Sequence, residues 1–357
     1  MERKRILLIS RKYPPMIGGM ETYTKNLLSN LCLSYDVDTI LLNKKQFHLI
    51  WFLPYVFIKS FFLSLRHKYS VLYICDALLS PLGLIIKSIF NIKTIATVHG
   101  LDVTYPNFLY QKIVPFSLSK LDYLVCVSNN TVSECIKRGI CASKCIFIPN
   151  GVNINEYYLE QSKNDVLEQL KGKMKHDFNN KKILLTTGRL IKRKGMDWFL
   201  KNIFMQLGPD FIYFVSGEGP LKRDLRRIID KQSLKNKVFL LGKVDRNTLK
   251  LLYNSADAFI MPNQIIKSDP EGFGIVALEA ASCGVPVIAN AVDGIKEAVL
   301  DGKTGWLIKY NNKDAFIEKI INPGLRANSV REAIHSFSWV NLIKSYQKII
   351  ENNYDDL

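Results

Sequence analysis

No C-x-x-C pair occurs among the seven cysteines, and no histidine stands beside Cys135, Cys141 and Cys145, the three closest in sequence. Those absences count against a metal centre of the usual ligand spacing. The odd number, scattered through a chain whose start does not read as an export signal, is most simply a set of reduced thiols, as in the cytoplasm. There is no G-x-S-x-G elbow and no H-E-x-x-H pair, which argues against the commonest hydrolase classes. Low-complexity tracts and short-period repeats are missing. Acidic residues are few: 32 Asp and Glu against 49 Lys and Arg, a formal charge of +17. Such a surface suits an anionic partner, whether a membrane leaflet, a nucleic acid or a phosphorylated substrate.

Apolar residues make up 48% of the 357 and charged ones 23%, an ordinary globular composition with length for about two domains. In MERKRILLIS the apolar run is short and is cut by Ser10, Arg11 and Lys12, so it reads as a first strand and not a signal peptide. Residues 47–65, FHLIWFLPYVFIKSFFLSL, come close to the length of a spanning helix. Pro54 and Lys59 oppose that reading, and a core or interface helix is the simpler one. A segment lying on a membrane is the intermediate case, given the aromatics and the basic flank Arg66, His67, Lys68.

Short apolar runs recur through both halves. In the first they are Ile6–Ser10, Val37–Leu42, Val71–Cys75, Thr94–Val98, Tyr123–Val127 and Ile146–Ile148. In the second they are Ile183–Thr187, Phe211–Ser216, Val238–Leu241, Ala258–Met261, Val287–Ala289 and Trp306–Ile308. Helical stretches such as Glu21–Leu31 and Asn129–Arg138 lie between them. Continuous apolar strands alternating with helices predict parallel sheets covered on both faces. The polar, Lys-rich stretch 153–182, with a helix over Asp165–Lys171 followed by Gly172 and Asn179–Asn180, reads as a boundary. The expected fold is α/β, two doubly wound Rossmann-like domains facing each other with ligands at the strands' carboxyl ends. After Pro323–Gly324 the tail reads as helical to about Asn352, with Trp339, Leu342, Ile343 and Tyr346 on one face.

Several strings sit where chemistry is expected. Glu271-Gly-Phe-Gly-Ile-Val-Ala-Leu-Glu279 opens a helix at about Gly274 that closes at Cys283–Gly284, and free N–H groups at such an entrance favour anionic or hydroxyl-rich ligands. Against this, acidic residues at helix starts and inside helices are common without function. Gly188-Arg189-Leu190-Ile-Lys192-Arg193-Lys194-Gly195 follows a strand, and its fork and point charges suit a diphosphate better than a merely solvated loop would. Gly18-Gly19 joins the first strand to the first helix. His99-Gly100 ends another strand. Gly302-Lys303-Thr304 fails as a phosphate loop because Glu297 holds the upstream glycine position, and Gly217-Glu-Gly219-Pro220 lacks the third glycine of a dinucleotide fingerprint. Asp36-Val-Asp38 lies on a strand's entry side and reads as surface, not a metal clamp.

In this order the motifs resemble the retaining glycosyltransferases of the GT-B fold, family four. The resemblance rests on Pro15–Gly19, His99-Gly100, Pro149-Asn-Gly-Val152, Gly188–Gly195, Gly217–Pro220, Glu271 to Glu279 and Asp301–Trp306, across nearly the whole chain. Pro262–Pro270 is longer than in many members, and the first domain is compact between Leu42 and Val71. The resemblance implies an acceptor-binding domain (1–165), a nucleotide-sugar-binding domain (166–330) and a C-terminal helix (331–357) returning towards the first. It implies that Arg189 and Lys194 bind and stabilise the leaving diphosphate. Gly18 and Gly19 would then belong to a loop closing over it. Glu279 would bind the ribose and Glu271 the sugar hydroxyls. The backbone of Gly272, Phe273, Gly274 and Ile275 would contact sugar and phosphate, with His99 near the reacting carbon. Further expectations are a UDP- or GDP-linked sugar as co-substrate, no cofactor, no metal and no nucleic acid. The acceptor is expected to be a lipid-linked or cell-envelope glycan, met by a cytoplasmic enzyme peripheral on the anionic inner face of the plasma membrane. The alternatives are a nucleotide-sugar epimerase of the same fold, a catalytically silent scaffold or, less favoured, a basic nucleic-acid-binding protein, which would need stacking aromatics that Gly188–Gly195 lacks.

Overall fold

The computed structural model describes residues 3–16, 18–42, 49–178, 180–266 and 269–351. Phe47, His48, Asn179 and Asn352, which belong to the segments read above, lie outside them. Among the described residues twelve strands form two parallel sheets. The first contains β1 (Arg5–Ser10), β2 (Asp36–Leu41), β3 (Val71–Ile74), β4 (Lys93–Val98), β5 (Tyr123–Cys126) and β6 (Cys145–Phe147). The second contains β7 (Lys182–Thr187), β8 (Phe211–Ser216), β9 (Val238–Gly242), β10 (Ala258–Met261), β11 (Val287–Asn290) and β12 (Gly305–Ile308). Each apolar run in the sequence became one of them. Such strands are legible because both faces are covered: in β1, Leu7 and Ile9 enter one core while Ile6 and Leu8 enter the other.

The sheets differ in strand order. The first runs β2-β1-β3-β4-β5-β6 and the second β12-β11-β10-β7-β8-β9. The winding therefore reverses between β1 and β3 in one, and between β7 and β10 in the other. Those two reversals are where open α/β sheets leave a crevice for ligands. The chain divides into two compact units, one of Met1–Gly151, Ser268–Phe273 and Trp339–Leu357, the other of Val152–Lys267 and Gly274–Ser338.

The tail is not one helix. Helix Ala327–Ala333 and a 3-10 turn at Ile334–Phe337 precede an extended Ser338, and a second helix runs Trp339–Glu351. Trp339, Ile343, Tyr346, Ile349 and Ile350 of that helix join the first unit's core with Tyr23 and Tyr73. Gly151 of the P-N-G-V string is needed there, since a Cβ would stand 2.7 Å from the Trp339 indole. Segment 49–66 is a helix whose Phe52, Val56 and Ser60 are buried while Trp51, Tyr55, Ile58, Phe62 and Leu65 are exposed. Among the described residues no helix is long and apolar enough to cross a membrane.

Candidate functional site

In the second unit the loop after β7 is held by backbone. Gly188 N–H donates to Ser216 O (2.9 Å) and Leu190 N–H to Glu218 O (2.9 Å), with Leu190 buried. Arg189, between these anchors, is exposed at the strand's carboxyl end. Gly217 and Gly219 are what let the two loops meet: a Cβ at Gly217 would lie 1.8 Å from Gly188 O, and one at Gly219 2.4 Å from Leu190 O. The string that failed as a dinucleotide fingerprint is thus a support for the arginine loop. Lys194 is half-buried with its stem beside Gly188, and Arg193 is buried, so the four cations are not one solvated cluster. Gly195 has φ +69°, and its Cβ would stand 1.9 Å from Pro262 O, just past β10. The loop therefore crosses the β7/β10 reversal.

Helix Ile275–Ser282 starts at Gly274 (φ 96°), with no side-chain cap on its first N–H groups. One turn in, Glu279 is 9% exposed, and Tyr253 O–H donates to its Oε2 at 2.7 Å. Thr187 Oγ1, at the end of β7, lies 3.0 Å from the same phenol oxygen. Burial raises Glu279 to about 7. A carboxyl whose folded pKa lies above its unfolded value favours the protonated folded state, so its contribution is complete below the unfolded pKa of about 4.5 and fades as pH rises through about 7. The loss amounts to roughly 3 kcal/mol. Glu279→Gln is expected to flatten the fall in melting temperature of the ligand-free protein between those two pH values. An unchanged slope would contradict this.

In the first unit two distant motifs meet. A Cβ at Gly272 would stand 2.9 Å from His99 O, and one at Gly100 (φ +74°) 3.3 Å from the Gly272 Cα, so Glu271-Gly272 lies directly on His99-Gly100. Glu271 and Phe273 are buried. The His99 ring nitrogen Nε2 is 3.2 Å from Cys75 O. A carbonyl can only accept, so Nε2 carries the proton and Nδ1 keeps its lone pair. Burial lowers His99 to about 4, which makes the imidazole neutral at physiological pH. Its ring stands edge-on to Tyr23 at 4.8 Å. Gly18, extended at φ 168°, precedes helix Gly19–Leu31, and the space a Cβ would fill is taken by Glu21 Oε2 at 2.4 Å.

Sequence reasoning missed several groups. Arg11 Nε donates to Asp76 Oδ1 (2.8 Å) across the β1/β3 reversal, and Asp76 is fully buried. Asp102 accepts from His99 N–H (2.8 Å) and Ala77 N–H (3.1 Å), and burial raises it to about 6. Arg11 and Asp76 each follow an apolar run, and position at a strand end was the signal available for them. Tyr253 and Thr187 left no comparable trace. Asp36 is exposed, while Asp38 is half-buried and accepts from the buried Tyr69 O–H at 2.7 Å. Thr304 is buried and accepts from Leu300 N–H, so the Gly302-Lys303-Thr304 string builds a turn.

Both halves of the chain are similar to known proteins. The family model for glycosyl transferases group 1 matches residues 170–323, and that for glycosyltransferase family 4 matches residues 17–156. An uncharacterized glycosyltransferase of Methanocaldococcus jannaschii is 24% identical over 95% of this chain and 96% of its own. The UDP-Gal:alpha-D-GlcNAc-diphosphoundecaprenol alpha-1,3-galactosyltransferase of Escherichia coli is 26% identical over 80% of this chain and 75% of its own. Among solved structures, Anabaena HepE in complex with UDP and glucose superposes with a TM-score of 0.77 at 18% identity, covering 98% of this chain and all of that one. The comparisons give the epimerase alternative no support. With both halves matched in tandem on two six-stranded parallel sheets, the chain belongs to glycosyltransferase family four and has the two-domain α/β GT-B fold.

Proposed function

We propose that this protein is a retaining glycosyltransferase that moves a sugar from a UDP- or GDP-linked donor to a lipid-linked or cell-envelope glycan acceptor. Displacement at an anomeric carbon passes through an oxocarbenium-like state, and the departing diphosphate is where a protein can help most. Arg189 and Lys194 neutralise it, the uncapped start of helix Ile275–Ser282 adds N–H donors, and this cation pair takes the place of a metal. Glu279, steadied by Tyr253, receives the ribose hydroxyls. Glu271 and the backbone of Gly272–Ile275 take the sugar, and neutral His99 offers Nδ1 as an acceptor to it. The loop at Gly18 and Gly19 closes on the donor. Retention is what the resemblance to the family implies. The observation that carries the donor reading is the β7 loop, where Gly188, Gly195, Gly217 and Gly219 are spent on fixing one exposed arginine at a strand end. HepE, solved with UDP and glucose, and the E. coli enzyme, named for a UDP-sugar and a diphosphoundecaprenol acceptor, support a nucleotide-sugar donor and a lipid-linked acceptor.

A membrane-facing acceptor is supported by the surface of the first unit. Helices Leu49–Arg66, Ser80–Phe90 and Phe108–Lys120 pack side by side, through Phe61 on Phe90 and Ser80 on Val114. None of the three contains an acidic residue. They expose Trp51, Phe62, Ile85, Ile89, Phe108 and Phe116, with Lys112 over Phe108 (4.4 Å) and Lys120 over Phe116 (5.8 Å). Apolar rings flanked by cations fit the interfacial zone of an anionic leaflet, with the enzyme peripheral on its cytoplasmic face. The protein is expected to co-sediment with vesicles containing phosphatidylglycerol at physiological salt, and Trp51→Ser with Phe116→Ser to weaken this by about tenfold. If the purified protein ignores anionic vesicles, the membrane part of the reading falls.

A further inference from the structure

The three cysteines grouped by sequence are not the three grouped by the fold. Cys141 is exposed on a turn, and Cys126 takes its place beside Cys135 and Cys145. Among the described residues this is the one place where three His, Cys, Asp or Glu ligand atoms converge. We propose that Cys126, Cys135 and Cys145 bind one soft, closed-shell cation, zinc(II) or copper(I), through their three sulfurs. The proposal is independent of the transfer reaction.

Local topology builds the site. β5 and β6 are parallel neighbours with Leu124 paired to Cys145 and Cys126 to Phe147. Paired residues share a face and so do residues two apart, so Cys126 and Cys145 point the same way. Helix Asn129–Lys137 crosses that face and sets Cys135 against them. All three are buried in the first unit's core, Cys145 least so at 8% exposure. A buried cysteine is ordinarily a small apolar side chain packed among hydrocarbon. Here two strands and a helix aim their sulfurs at one point.

The spacing fits an ion. Sulfurs about 2.3 Å from a cation at the centre of a planar triangle stand about 4.0 Å apart. The Cys126 and Cys135 sulfurs are 4.0 Å apart, and all three lie within 4.8 Å of one another. Closure of the wider sulfur pairs by at most about 0.8 Å completes the triangle. The ligand set is sulfur alone in apolar surroundings, which selects thiophilic ions over magnesium, calcium or manganese. Binding releases the three thiol protons to solvent, involves no electron transfer, and leaves one net negative charge with zinc(II) or two with copper(I). Copper(I) is satisfied by three sulfurs. Zinc(II) takes a water as fourth ligand at the partly open Cys145 edge.

The test uses the full chain, reduced, metal-free and under argon, titrated separately with zinc(II) and copper(I) against a chromogenic chelator of each. One equivalent of one ion per chain is expected, together with a higher melting temperature. Whichever ion binds names the occupant. Binding should persist in the Cys32→Ser and Cys141→Ser variants and weaken at least tenfold in Cys135→Ala and in Cys145→Ser, the latter at the least buried of the three sites. Failure of the wild-type chain to take up either ion stoichiometrically overturns the proposal without any variant. So does an affinity that follows Cys32 and Cys141 instead.

Discussion

Arg189→Ala is expected to lower turnover about 100- to 1,000-fold, the usual cost of removing one preorganised donor to developing negative charge. Its side chain is exposed and the loop is fixed by backbone bonds of Gly188 and Leu190, so the melting temperature of the ligand-free variant should stay within about 2 °C of wild type. The pairing of these two results is diagnostic. A guanidinium that serves only solubility would leave turnover alone, and one that holds the fold would lower the melting temperature. Arg189→Lys should recover only part of the loss, because an ammonium cannot span two phosphate oxygens as a planar fork does. Turnover measured as nucleotide release, with and without acceptor, checks both variants.

Gly195→Ala should do more damage than its single methyl suggests. The backbone is left-handed there, and the added Cβ would meet Pro262 O at 1.9 Å, a backbone atom that cannot rotate away. Either the loop or the β10 exit must shift, and the shift displaces Lys194, the neighbouring residue. We expect a destabilisation of about 2–4 kcal/mol, from strain at a positive φ together with overpacking. Donor affinity should fall by at least tenfold. Gly172→Ala serves as the control, since nothing lies within 4 Å of its added Cβ. Equal melting temperatures for the two variants would show that the K-G turn is not the pinned crossing described above.

What the sequence made legible follows from how each feature is encoded. Strands buried on two faces write themselves as continuous apolar runs, and β1, β3, β8 and β10 were readable for that reason. Glycine turns at strand ends were readable too, because local position suffices. Relations between distant segments were not. Nothing in the chain's order announces that Gly272 lies on His99, that Tyr253 reaches Glu279, or that Arg11 meets Asp76. Arg193 reads like its neighbours Lys192 and Lys194, yet its side chain is buried, a distinction that only tertiary packing makes. The tail reads as one amphipathic stretch, but Ser338 turns extended before Trp339 packs on Gly151. The cysteines show the same limit: sequence proximity favoured Cys141, while sheet register delivered Cys126.

The central claim is that Arg189 and Lys194 act on a diphosphate. It is tested most directly by calorimetric titration of the protein, with EDTA present, with the mono- and diphosphates of uridine and of guanosine. For the preferred base, the diphosphate is expected to bind at least tenfold tighter than the monophosphate to wild type, and that difference should vanish when Arg189 and Lys194 are both alanine. A preference for the diphosphate that survives the double substitution would contradict the assignment, as would the absence of binding by any of the four nucleotides.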